Sequence, residues 1–499
     1  MKIFWAYSAV IVLCWGGWNC AFAAEAVETL VGDPFAEHSP PNAPLPGDPF
    51  AEDPAVSSLP GDPFAENGAS RDGAAAEDSA HNENMFLQKG WLESRNQFWC
   101  RNGRAFSTRQ RLWLEGGAAF TLGAASEDNG AGPATARVFF SGSVDYDAAA
   151  ADLSSDHDEL SAMLHEAYLS VEGRSVDLAL GKKMVRWGTG DGVNPVDLIN
   201  PQDHRDPLAS GRSDNRLAVF LLQGIVSLPV PEPVQELTLE TVAVPLAEVS
   251  TLNAAGSAWE PLALQNIRAA EQQGLLSLAD QEKPEHWLKD GKYGLRLAAT
   301  ADGWDLGLTA YSGVKNVPVF TGELDADNRL HITPVHPRIS AYGVSFAKGI
   351  HRSTLRGELA VKPRYPMQKE ETLLPGYSRR SLIEGVVGFD RTFALNRYLN
   401  LQYFAEYVPE DNGVTGRGYS DGLTFECSDL FFNDDLKLGI SGVVDFSGQG
   451  WAVQPYGEYH IGDNWLLAAS CFLFHGDESG RYGQFADRDF VSLRLRYSF

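Results

Sequence analysis

Cysteine is scarce in this sequence, with five among 499 residues. Cys14 and Cys20 fall near the start, and Cys100, Cys427 and Cys471 are scattered over the rest. Three scattered cysteines build no disulfide framework and match no zinc-ligand spacing, although one pairing among them stays open. Basic residues are few as well: 40 Lys and Arg stand against 66 Asp and Glu, a net charge of −26. That balance excludes nucleic acid as a partner. Past the N-terminus no apolar run of about 18 residues occurs, which excludes a helical membrane anchor there. Neither H-E-x-x-H nor the phosphate-binding G-x-x-x-x-G-K occurs, so the reading is non-enzymatic, with no cofactor and no metal.

What is present begins with an export signal. Lys2, the apolar stretch "IFWAYSAVIVLCWGGW" and Ala21-Phe22-Ala23 fit a signal peptide over residues 1–23. Cys20 invites a lipoprotein reading, but Trp18 and Asn19 stand where that pattern has small or aliphatic residues. Residues 24–84 repeat "GDPFAE" three times, at 32–37, 47–52 and 61–66, among Pro, Ala and Ser. Such composition cannot bury a core, and it predicts a disordered acidic tether. The repeats suit a periplasmic docking tag in which copies add avidity, or a duplicated spacer.

From residue 85 to 499 the texture is one of short alternating segments. The last, "DFVSLRLRYSF", puts Val491, Leu493, Leu495, Tyr497 and Phe499 on one face and Arg494 and Arg496 on the other. Tight turns, as at Ala301-Asp302-Gly303 and Gly462-Asp463-Asn464, alternate with long connections near 188–214, 247–288, 314–337, 362–379, 409–418 and 476–486. Sorting short turns to one end and long loops to the other is the layout of an outer-membrane barrel. The expectation is all-β: a single antiparallel transmembrane β-barrel of about 18 strands, with 16 as the alternative, and a disordered N-terminal tether.

Clean alternation places Arg109, Arg111, Glu115, Glu166, Arg296, Arg356, Glu358, Glu406, Arg494 and Arg496 on the lumen side. They read either as an anion-guiding ladder or as the mixed charge of any wetted wall. The stretch "WGTGDGVNPVDLINPQDHRDP" (187–207) holds two Asn-Pro pairs that could cap short helices. As a constriction loop it would present Asp191, Asn194, Asp197, Asp203, His204, Arg205 and Asp206. Beyond it, "WEPLALQNIRAAEQQGLLSLADQ" has rough helical spacing at Leu262, Leu264, Ile267, Leu275 and Leu278, a lid over the mouth or a decorated loop.

The segments "HEAYLSVEG" and "VDLALGKKMVRWGTGDG" resemble porin-superfamily barrels, notably of the alginate-export type. Glu166, Ala167, Tyr168, Gly181, Trp187 and Gly188 match that pattern, while Lys182 and Lys183 stand where it has Arg and Gln. The resemblance implies passage of a solute or polymer. The expected function is an outer-membrane channel, porin or exporter, of a Gram-negative bacterium, passing small solutes or an anionic substrate. The alternative is an outer-membrane anchor for adhesion or assembly. Expected partners are outer-membrane lipid, the barrel assembly machinery through the terminal strand, a periplasmic partner of the tether, and two further copies in a homotrimer.

Overall fold

The computed structural model describes residues 89–499 apart from 123–133, 150–159, 191, 206–214, 254–255, 327, 371–373, 394–395 and 417. The expected signal peptide (1–23), the expected tether with its repeats (24–84), Asp191 and Asp206 lie outside the described residues. The strands are β1 (Lys89–Trp99), β2 (Ala105–Leu122), β3 (Ala134–Asp147), β4 (Leu160–Glu172), β5 (Val176–Lys183), β6 (Val219–Ser227) and β7 (Val234–Val244). A helix, α1 (Leu262–Gln272), precedes β8 (Leu276–Leu278), β9 (Lys292–Ala301), β10 (Trp304–Val314), β11 (Val319–Leu324), β12 (Leu330–Val335), β13 (Arg338–Ile350) and β14 (Ser353–Gln368). Then come β15 (Tyr377–Thr392), β16 (Tyr398–Tyr407), β17 (Tyr419–Phe431), β18 (Leu436–Asp445), β19 (Gly450–Ile461), β20 (Trp465–His475) and β21 (Phe490–Ser498).

Eighteen of these strands form one antiparallel sheet. It closes on itself where β1 pairs with β21, Glu93 opposite Arg496 and Arg95 opposite Arg494. Closure removes both free edges, which an apolar surround requires because it offers backbone groups no partner. The other three strands, β8, β11 and β12, make a small separate sheet.

Period-two alternation sets the two faces. Outward residues such as Leu178, Leu222, Leu308, Val387 and Leu493 are 45–55% exposed although apolar. Outward aromatics gather at the two levels where a bilayer ends. Phe120, Trp465, Tyr459 and Phe499 lie near the short turns, and Tyr146, Tyr407 and Tyr419 near the long loops. At the short-turn level the outward Lys348 folds its ammonium over the Trp304 ring, 4.6 Å from the centroid, keeping the charge out of hydrocarbon. Such a surface suits lipid and no other solvent.

Two local expectations fail for identifiable reasons. The stretch 362–379 reads as a long loop because of Pro363 and Pro366, yet β14 runs through both to Gln368. A register shift between Lys362 and Tyr365, with Arg364 at φ +53°, absorbs the prolines as a bulge. Neither Asn-Pro pair starts a helix. Asn194 closes a turn, its carbonyl accepting from the N–H of Asp197 at 3.2 Å. The Asn200 side chain is spent on other backbone: its Oδ1 accepts from Val185 N at 2.8 Å and its Nδ2 donates to Leu217 O at 2.8 Å.

Candidate functional site

The ten inward positions form the inner wall, and all six arginines among them are matched to carboxylates. Arg496 Nη2 lies 2.7 Å from Glu93 Oε2, with Arg109 3.6 Å from the other oxygen of Glu93. Arg111 pairs with Asp145 at 2.5 Å, Arg494 with Glu458 at 2.8 Å, Arg356 with Asp390 at 2.6 Å and Arg296 with Glu240 at 3.6 Å. Glu115 accepts from the Trp113 indole at 3.5 Å, Glu166 from Met184 N at 2.7 Å, and Glu406 lies 3.7 Å from Arg481. Matched in this way, the guanidinium field is largely cancelled and the wall is braced. Glu93 is buried, and Arg496→Ala removes its hydrogen-bonded partner while leaving the longer contact to Arg109. Unfolding of that variant in detergent is expected to be easier by about 1.5–3 kcal/mol, the worth of hydrogen bonds to a charged group. A denaturant melt checks it.

After β5 the chain turns into the barrel. Trp187 seats its ring over Gly294 of β9, where a Cβ would come within 2.4 Å of it, and its indole N–H donates to Glu240 at 2.9 Å. Val196 fills the space over Gly343 of β13 in the same way, 2.4 Å from where a Cβ would stand. Glycine inside a strand marks close approach of another part of the chain, and here the approaching part is the loop. Between these anchors the segment reaches β14, six strands around the barrel from β5. There Glu358 Oε1 accepts from Thr189 N at 2.5 Å and Gly190 N at 2.6 Å, while Arg356 donates to Thr189 O at 3.2 Å. Gly188, at φ +92°, lies too near this carboxylate for any side chain. Val193 carries the segment on to the cluster containing Val386 of β15 and Phe404 of β16.

The remaining loop residues have other posts. Asp197 pairs with Arg216 and accepts from Trp187 N. Asp203 pairs with Arg205 at 2.6 Å, and His204 is buried with its N–H on Thr251 O at 2.9 Å. These last three tie the loop to the base of the next one rather than crossing the lumen.

That next connection, 245–291, forms a lid. Rooted on β7 and β9, it carries Trp259 to the far side of the mouth. There the indole sits among Phe106 of β2, Phe474 of β20, Phe490 of β21 and Phe485, with centroids 5.5–6.1 Å away. Arg488 binds Ala258 O, and Gln484 accepts from Leu262 N at 3.2 Å. Helix α1 stops at Gly274, at φ +72°, and Leu276 and Leu278 enter a strand instead of continuing the helix. β8 joins β12, and α1 packs on the resulting sheet through Ala263, Ile267, Phe320, Leu330 and Ile332. The mouth at the long-loop end thus carries a small folded cap.

His336 pins the cap to the barrel rim. Its Nδ1–H donates to Lys315 O at 2.7 Å, and its Nε2 accepts from Gln281 at 2.8 Å. Burial, reinforced by the charges of Lys315, Lys292 and Lys283, lowers its pKa to about 4. A released histidine titrates near 6.5, so between pH 6.5 and 4 the released form binds more protons. Stabilisation of the docked cap is therefore full above pH 6.5 and is lost as pH falls toward 4. Hydrogen exchange over 276–288 is expected to speed up on acidification from pH 7 to 5, and His336→Gln to flatten that dependence.

Glu240 and Trp259 shape the site without standing out as functional in the sequence, where Trp187 reads only as part of a family resemblance and Asn200 only as a helix cap. The inward glycines at 294 and 343 were the available signal. One string, Gly418-Tyr419-Ser420-Asp421-Gly422, has the letters of a nucleophile elbow. It lies at the start of β17 in extended chain, not on a strand-to-helix turn, and Ser420 Oγ donates to Glu406 at 3.3 Å. Among the described residues no group of three or more His, Cys, Asp or Glu could hold a metal.

A closed 18-strand barrel, apolar outside and charged within, defines a transmembrane β-barrel. The chain belongs to the family described as "Protein of unknown function (DUF1302)", whose model matches residues 120–499. No curated protein matches it. Similar solved structures include the outer membrane protein OpdK of Pseudomonas aeruginosa, at 10% identity and TM-score 0.46, covering 84% of this chain and 99% of that one. Salmonella typhi OmpF, solved with daunomycin, is 10% identical at TM-score 0.41, covering 83% and 97%. A mutant Rh. blastica porin is 12% identical at TM-score 0.37, covering 83% and 100%. No feature of the site rests on these similarities.

Proposed function

We propose that the chain is a gated outer-membrane channel of a Gram-negative bacterium, its lumen held narrow by its own loop and cap. The observation that carries this is the clasp of Glu358 on the Thr189 and Gly190 N–H groups, which fixes loop backbone across the lumen. In this reading the short turns and the N-terminal tether face the periplasm, and the cap faces outward. Cancelled arginines favour small solutes with weak charge preference over a dedicated anion pathway. The folded cap favours a second reading, capture of a partner at the outer mouth. Swelling of liposomes holding the full chain separates them. Uptake of small neutral and charged sugars at similar rates supports the channel; no swelling at neutral or acidic pH contradicts it.

A further inference from the structure

We propose that the outer wall over β13, β14 and β15 binds the phosphate groups of an anionic glycolipid of the outer leaflet, a site that rests on the membrane reading above. Three exposed arginines meet there: Arg338 at the start of β13, Arg364 on the β14 bulge and Arg379 near the start of β15. Arg379 Nη1 donates to the carbonyls of both Arg338 and Arg364, each at 3.0 Å, so all three share one small area. Arg338 in turn donates to Lys289 O at 2.6 Å, which brings an exposed lysine alongside.

Among the described residues no carboxylate pairs with any of the three guanidiniums. The neighbouring Asp290 is occupied by the N–H groups of Glu285 and His286 and by the His286 ring. Arg109, Arg111, Arg296, Arg356, Arg494 and Arg496 on the inner wall are matched to carboxylates, whereas these three outward ones pair with none among the described residues, in a chain with net charge −26. Like charges crowded this closely repel unless an anion lies between them, and guanidinium forks suit phosphate oxygens.

Position identifies the anion's source. The cluster sits at the long-loop end, directly above outward Tyr342, Val344 and Val387, which are 57%, 43% and 52% exposed. Beside Lys289, Trp287 and Leu288 are 62% and 61% exposed, as residues at a headgroup boundary are. A ligand with phosphates above and acyl chains below fits this surface; a soluble phosphate would leave the apolar column unused.

The test titrates the detergent-solubilised full chain with diphosphorylated lipid A and, separately, with the same lipid dephosphorylated, read by native mass spectrometry. The phosphorylated form is expected to bind at least about tenfold more tightly, and R364Q/R379Q to remove most of that difference. R364Q alone, at a side chain with no bond to another described residue, should remove about threefold and guards against misfolding. Equal binding of the two lipids, unchanged binding by the double variant, or full displacement by millimolar inorganic phosphate would overturn the proposal. Because the readout is binding, it stands apart from the channel reading. A chain that selects the phosphorylated lipid yet passes no solute would defeat only the channel.

Discussion

Replacing Glu358 by alanine is expected to convert a narrow, steady pore into a wider and flickering one. Two backbone N–H groups end on this single carboxylate oxygen. Removing the acceptor leaves two buried N–H groups unpaired, at about 1–3 kcal/mol each. Losing both shifts the loop equilibrium by roughly 3 kcal/mol or more, on the order of a hundredfold. Residues between the anchors at Trp187 and Val196 would then sample the lumen freely, while the anchors themselves, seated on Gly294 and Gly343, hold. Planar-bilayer recordings should show larger conductance with added noise. Glu358→Gln keeps an acceptor oxygen and should fall between the two. Unchanged current in E358A would mean that the clasp does not set the width.

Trp259→Ala should release the cap. The indole is buried among aromatics that belong to β2, β20 and β21, on the far side from the lid's own roots. Truncating a buried tryptophan costs about 3–5 kcal/mol. Here that cost falls on a docking contact rather than on the barrel, whose strand ladders do not involve Trp259. The barrel should therefore melt as before, while added protease cuts within 252–288 on intact cells. Combined with E358A, the variant should conduct more than either alone, since the two obstructions lie in series. A barrel that loses stability as much as the cap does would show that the lid is part of the fold and not a cover.

The wall was legible because alternation is a local signal. Each strand shows its faces within a few residues, and the arginines opposite leucines in "SLRLRYSF" and "YGLRLA" already point into the lumen. Turn chemistry then sorted the two ends. Other features depend on partners distant in sequence. Glu358 reads only as one more inward charge, because its partners Thr189 and Gly190 lie 168 and more residues away. Trp259 looks like an isolated aromatic in a polar stretch until the chain brings Phe490 to it. The β14 bulge hid behind prolines that usually end strands. Gly294 and Gly343 are the exception: glycine where alternation calls for an inward side chain records that something approaches from inside.

In the channel reading, backbone between residues 187 and 197 narrows the lumen. Those ends lie close together, since Asp197 Oδ1 accepts from Trp187 N at 3.5 Å. Residues 188–196 can therefore be exchanged for a two-glycine bridge without pulling on the wall. Single-channel conductance of that chain beside the unaltered one is the most direct measurement. Its conductance is expected to be at least about twofold higher, with the cap still docked by protease mapping. Equal conductance would contradict that reading and place the limiting constriction elsewhere along the barrel.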